Sequence, residues 1–338
     1  MPSQQVIRLS LPSKGRLESG ALDFLSDVGL RVFKPNPRQY VAAIPALPDL
    51  GVLFQRPGDI VVSVRQGSVD FGITGIDVIE EKRGDATRGD VIILHDELGF
   101  GSCALTLAVP EAWNSVKNVA TLKDYSASLN RPLRVATKFP VLTERFLNQH
   151  QIPHALIAAE GTLEIAPTIG YADMISDLVS SGQTLQDNRL RPLPDGVIQP
   201  SQAALIANRK ALRTRPEALE MARRLLEYIE AHLRAEANLL VIANMRGESP
   251  EAIAKKMFAQ TIVSGLQGPT ISPIVVRDAT SHWFSVTVVV HRDLLPQAIA
   301  ELRSIGGSGI IVSPVTYIFE EEPPRYKAML DALKSESL

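Results

Sequence analysis

Three times within its first 81 residues the chain repeats one pattern: a short apolar run, a loop with glycine and charge, then apolar residues at helical spacing. Val6 to Leu11 leads into Pro12-Ser13-Lys14-Gly15-Arg16-Leu17, after which Leu17, Ala21, Leu22, Leu25 and Val28 recur with the period of a helix. Gly51 to Phe54 leads into Gln55-Arg56-Pro57-Gly58-Asp59 and a short helix of Ile60, Val61 and Val64 that stops at Gly67. Val69 to Thr74 ends at Gly75, with Asp77 opening a helix over Val78 to Glu81. Strands that alternate with helices predict an α/β fold around a parallel sheet. Such sheets place ligands beyond the carboxyl ends of their strands, where Lys14, Arg16 and, at the second strand, Arg56 stand. Solvated charges are the plainer account of these cations, and that account stays open.

The pattern continues in a second block. Gly99 to Val109 alternates small and apolar residues up to Pro110, and there the chain is expected to cross to a second lobe. Arg134 to Thr137, Ala155 to Ala159 and Ala172 to Val179 read as strands, and Ser201 to Asn208 as a strand returning to the first lobe. Two α/β lobes around a cleft follow. Arg215 to Ala235 is an amphipathic helix with Leu219, Ala222, Leu226, Ile229 and Leu233 on one face. The last hundred residues read βαββαβ, the ferredoxin-like unit, whose Gly306-Gly307-Ser308-Gly309 turn permits close backbone approach or is a bare helix-to-strand turn. The expected partition is residues 1–104 plus 196–236 for one lobe and 105–195 for the other, then 237–320 for the ferredoxin-like domain and 321–338 for a tail or helix.

Glu160 to Leu190 carries the densest chemistry. A strand bearing Asp173 and Asp177 breaks into Ser180-Ser181-Gly182-Gln183-Thr184. Hydroxyl residues around a glycine let backbone N–H groups and side chains converge on an anion such as phosphate. Carboxylates upstream suit sugar hydroxyls or a hydrated Mg²⁺. The competing account is an ordinary turn in which Ser and Thr cap a helix.

Composition removes other classes. Hydrophobic residues make up 45%, charged residues 21%, and the formal net charge is -2, so nothing global recruits nucleic acid or an anionic membrane. The single cysteine, Cys103, reads as a core thiol and fits a reducing cytosol. The first residues, MPSQQVIRLSLPSKGRL, show no apolar signal-peptide core, which predicts a cytoplasmic protein. Six scattered histidines lack metal-ligand spacing, and no nucleophile elbow, P-loop or dinucleotide fingerprint is present. Positioned cations and carboxylates are the chemistry that remains.

Ordered along the chain, PSKGRL (Pro12 to Leu17), QRPGDI (Gln55 to Ile60), GSVDFGITGIDVIEE (Gly67 to Glu81), LGFGSCALTLAVP (Leu98 to Pro110), RVATKFP (Arg134 to Pro140), GTLEIAPTIGYADMISDLVSSGQTLQDNRL (Gly161 to Leu190), GPTISPI and GGSGIIVSPV cover nearly its whole length. With these motifs the sequence resembles the long form of ATP phosphoribosyltransferase, the first enzyme of histidine biosynthesis. The resemblance implies a two-lobed catalytic region like a type II periplasmic binding protein plus a ferredoxin-like regulatory domain. It implies attack of adenine N1 of ATP on C1′ of phosphoribosyl pyrophosphate (PRPP), with Mg²⁺-bound pyrophosphate leaving. PRPP then falls to Glu164, Asp173, Asp177, Ser180, Ser181, Gly182, Gln183 and Thr184, with Asp173 and Asp177 meeting Mg²⁺ directly or through water. Pyrophosphate and ATP fall to Lys14, Arg16, Arg38 and Arg56, the first three as catalytic cations. Histidine as inhibitor is assigned to Thr270, Ser272, Gly307 and Ser308, and self-association to dimers or hexamers is expected. The chain departs from the family at Ser181 for Thr, at Thr168 where many relatives carry Arg, and at Gly307 for Ala. A non-catalytic ligand-binding protein on the same two-lobed fold is the alternative.

Overall fold

Ile7–Pro12 forms β1, with Leu9 and Leu11 fully buried, and α1 (Gly15–Asp27) folds Ala21, Phe24 and Leu25 back onto it. The computed structural model describes residues 7–36, 39–83, 89–159, 161–265, 268–276 and 282–334. After β2 (Val41–Ala43) and β3 (Leu50–Gln55), α2 (Pro57–Gln66) and β4 (Phe71–Gly75) pack so closely that a Cβ on Gly72 would clash with Ile60 Cγ2. Then come α3 (Ile76–Arg83) and β5 (Val91–His95). The second lobe runs β6 (Cys103–Pro110), α4 (Val119–Ser128), β7 (Leu133–Thr137), α5 (Pro140–Gln149), β8 (His154–Ala158), β9 (Met174–Val179), α6 (Gln183–Asp187) and β10 (Leu190–Ser201). The chain returns through β11 (Ala203–Asn208) and α7 (Arg209–Thr214) to α8 (Pro216–Glu236).

The first sheet has the order β2-β3-β1-β4-β11-β5 and the second β10-β6-β9-β7-β8. In each, three strands run parallel and one strand from the opposite crossing lies antiparallel next to the third, with β11 beside β4 and β6 beside β9. This is the two-lobed periplasmic-binding-like arrangement. Val91–His95, α4 and β10 go beyond the sequence reading. The helix buries only Val119, Leu122 and Ser126, too little for a clear periodic signal. Pro192, Pro194, Gly196 and Pro200 disguise β10 as a loop; the sheet tolerates them because β10 is an edge strand with register shifts.

The chain divides into two units, one reaching to Leu226 and resuming at Pro324, the other running from Glu227 to Pro323. The second unit contains β12 (Asn238–Arg246), α9 (Pro250–Phe258), β13 (Thr270–Ile274), β14 (Trp283–His291), α10 (Leu295–Ser304) and β15 (Ser308–Pro314). Its sheet order is β13-β14-β12-β15, and Val241, Ala243, Met245, Val286 and Val288 pack against Ile253, Met257, Ala298 and Leu302 of its helices. This is the expected ferredoxin-like unit. The last helix, α11 (Pro324–Lys334), belongs to the first unit. It packs against β5, burying Tyr326, Met329 and Leu333. Its final carbonyls accept from the Arg209 and Arg213 guanidiniums, at 3.0 Å to Ala332 O and 2.7 Å to Leu333 O, and Arg325 meets Asp96 at 2.6 Å.

Candidate active site

A cavity of about 670 Å³ opens between the two sheets of the first unit, walled on one side by Lys14 and Arg16 and on the other by Phe139, Leu178 and Ser180. Gly15 holds φ +76°, and with it the loop after β1 brings both cations beyond the strand end. Opposite, β9 ends at Val179 and Ser180 follows at once. The Arg16 Nη2 group donates to Ser180 Oγ at 3.0 Å, joining loop and turn across the cavity.

The turn itself is not a side-chain cap. Gly182, in the left-handed region at φ +77°, is the N-cap of α6 and makes no capping bond; Ser181 Oγ accepts from Gln183 N–H only at 3.5 Å. Ser180, Ser181 and Thr184 therefore keep exposed hydroxyls beside a backbone that only glycine follows without strain. The Gln183 side-chain amide donates to Asp187 at 2.8 Å within α6, so what Gln183 offers the turn is its backbone N–H.

Asp177 lies in β9 three residues before the turn. Burial pushes its carboxyl up, the Leu178 N–H and Lys138 oppose this, and the like charge of Glu164 reinforces it. Glu164, from the single turn Leu163–Ile165, and Lys138 thus share its surroundings. Asp173 does not join them. It precedes β9 at the end away from the turn, and four residues of extended chain span roughly 13 Å. Arg131 grips it at 2.5 and 2.8 Å, Arg134 at 2.9 Å, and the Arg134 N–H at 2.8 Å. Burial opposes its ionisation, but these donors outweigh it and hold the carboxyl well below the usual carboxylate range. A carboxylate so occupied has nothing left for a sugar or a metal, so its assignment to PRPP and Mg²⁺ does not fit this structure.

Arg56 is exposed at the N-cap of α2, where its neighbour Pro57 lines the cavity. Arg38 lies outside the described residues. The ferredoxin-like sheet sets Thr270 and Ser272 on one edge strand and Ser308, with Gly307 before it, on the other. Three strand spacings, roughly 14 Å, separate those edges, so the four residues do not converge within one chain.

Sequence reasoning missed Asp77, Phe139 and Cys103 as wall residues. Cys103 is half-buried rather than core, and it lines the cavity. Burial and then Asp77 raise its thiol pKa, against Ser201 and Arg16. Asp77 is buried; burial pushes its carboxyl up while the Ser201 hydroxyl, which donates to it, opposes. Lys138 and Phe139 sit just beyond the carboxyl end of β7, the same strand-end rule that singled out Lys14.

Two family models match the chain. ATP phosphoribosyltransferase (HisG) matches residues 56–231, and the HisG C-terminal domain matches residues 235–317. The chain is 45% identical to ATP phosphoribosyltransferase 2, chloroplastic, of Arabidopsis thaliana, over 98% of its own length and 81% of that protein. It is 33% identical to ATP phosphoribosyltransferase of Rhodopseudomonas palustris (strain HaA2), over 96% of its length and 98% of that protein. Among solved structures, the ATP phosphoribosyl transferase (HisG:HisZ) complex from Thermotoga maritima matches with a TM-score of 0.52 and 25% identity, over 66% of this chain and 98% of that one. With the strand order, the cavity and these matches agreeing, the chain belongs to the ATP phosphoribosyltransferase family.

Proposed function

We propose that the cavity between the two sheets is the reaction chamber of this ATP phosphoribosyltransferase. There the N1 lone pair of ATP adenine forms a bond to C1′ of PRPP, the C1′–O bond breaks, and pyrophosphate leaves with the electron pair. This is the first step of histidine biosynthesis. The observation that carries the assignment is the Arg16–Ser180 bond, which sets a cation against the hydroxyl-rich turn. The backbone N–H groups of Ser181 to Thr184, with the Ser180, Ser181 and Thr184 hydroxyls, take the 5-phosphate. Asp177 and Glu164 face the ribose, where positive charge grows in the transition state, and Lys14 and Arg16 face the departing pyrophosphate. Adenine N1 carries no proton, so positioning rather than a general base lowers the barrier.

Mg²⁺ enters this reading as part of the pyrophosphate-bearing substrate. The fit supports that form: Asp173 is held by two guanidiniums, leaving Asp177 as the one proposed carboxylate ligand, reached through water. Inhibition by L-histidine at the ferredoxin-like domain and self-association into dimers or hexamers belong to the same reading, as the family resemblance implies; the presence of the family's C-terminal domain is what this chain contributes to it. A single half-buried cysteine suits a reducing compartment, the cytoplasm by this reading, though the Arabidopsis relatives are named chloroplastic. A purely ligand-binding role is disfavoured, because relatives named as enzymes match nearly the whole chain. The direct assay is pyrophosphate release that requires ATP, PRPP and Mg²⁺ together; no release at micromolar enzyme overturns the reading.

A further inference from the structure

Helix α5 cannot cap itself. Its N-cap is Phe139, which has no hydrogen-bonding side chain, and its first residue, Pro140, has no N–H. Thr143 N–H closes the first backbone bond, to Phe139 O at 3.0 Å, leaving Val141 and Leu142 as the orphan donors of the first turn. Both are taken by one side chain from the other lobe: Glu81 of α3 accepts from Val141 N–H at Oε1 and from Leu142 N–H at Oε2, each at 3.0 Å. A buried carboxylate at the start of a ten-residue helix also meets the positive end of the helix dipole.

The two ends of this contact reach the cavity. Helix α3 carries Asp77 in its first turn, and Phe139, the N-cap residue of the helix that Glu81 caps, lines the opposite wall. From α5 the link continues inward. Phe139 N–H donates to Thr137 Oγ1 at 3.0 Å, Thr143 Oγ1 lies 3.3 Å from Thr137 Oγ1, and it pairs with Ser176 Oγ of β9 at 2.9 Å. Ser176 immediately precedes Asp177, on the strand that delivers the phosphate turn.

We infer that Glu81 is a positioning residue for phosphoribosyl transfer: by capping α5 across the lobes it sets Phe139, Asp177 and the Ser180–Thr184 turn against the Lys14–Arg16 wall. The inference rests on the proposed placement of the reaction in this cavity. Each substrate keeps its own wall when Glu81 is lost, so what suffers is the alignment of adenine N1 with C1′, and misplacement of about an ångström is enough to cost on the order of 100-fold in rate.

The test compares the unaltered chain with Glu81→Gln, which leaves one acceptor for two amides, and Glu81→Ala, which leaves none. Expected are losses in kcat per folded molecule of about tenfold and about 100-fold respectively, each larger than the change in either KM. Amide hydrogen exchange is expected to quicken both over residues 138–147 and over residues 174–184. A lowered melting temperature with kcat per folded molecule within about twofold of the unaltered chain marks a merely structural contact and overturns the inference. If Glu81→Ala does not fold, Glu81→Gln decides. If the unaltered chain releases no pyrophosphate, the activity reading fails, and unchanged exchange over residues 174–184 in the variants then overturns the positioning claim by itself.

Discussion

Asp177 and Asp173 are four residues apart and opposite in character. Burial and then the charge of Glu164 raise the Asp177 carboxyl, against the Leu178 N–H and Lys138. In the proposed reaction Asp177 acts as its anion, so activity is expected to fall as pH drops through that raised value. Glu164→Gln removes the like charge and is expected to move the acid limb of kcat to lower pH, while Asp177→Asn lowers kcat by on the order of 100-fold in a folded protein. Steady-state pyrophosphate release across pH checks both. Asp173 instead has a depressed carboxyl, so its stabilising contribution is present above the unfolded value of about 4 and is lost as pH falls through the folded one. Asp173→Asn is expected to lower the neutral-pH melting temperature by about 3 °C or more, with kcat per folded molecule unchanged. Adjacent sequence made the two aspartates look like a pair. Their difference comes from Arg131 and Arg134, some forty residues earlier, which only the parallel pairing of β7 with β9 brings near.

Elements with strong local periodicity were legible: α8, the three opening strand–loop–helix units and the βαββαβ order of the second unit all stand where the apolar spacing put them. Those whose existence depends on neighbours were not. Strand β10 is proline-rich and persists only because β6 pairs with it along an edge; helix α5 itself was legible from Pro140 onward, but the Glu81 cap at its start comes from another lobe and was not. The Ser180–Thr184 turn lies between these cases, since its hydroxyls were readable while the identity of the N-cap, Gly182, was set by the fold. Gly182 at φ +77° makes a prediction at this level. Gly182→Ala strains the turn by about 1–2 kcal/mol and is expected to raise KM for PRPP more than KM for ATP, readable from initial rates with each substrate varied in turn.

At the scale of the whole molecule, the first unit is discontinuous in sequence. Residues from Pro324 onward complete it, beyond the 235–317 match of the C-terminal family domain. Removing residues 324–338 exposes the partners of Tyr326, Met329 and Leu333 and takes away Ala332 O and Leu333 O, which accept from Arg209 and Arg213. Burial of three such side chains is worth on the order of 5 kcal/mol, so thermal denaturation of the truncated chain is expected at a clearly lower temperature. The same return has a consequence in time. Ribosomes deliver a chain from its N-terminus and domains fold as they emerge, so the βαββαβ unit can be finished while the catalytic unit still lacks its last helix. Throughout that interval the nascent chain presents an apolar ledge beside β5, and emergence of residues 324–334, not completion of the two central sheets, is the event that covers it.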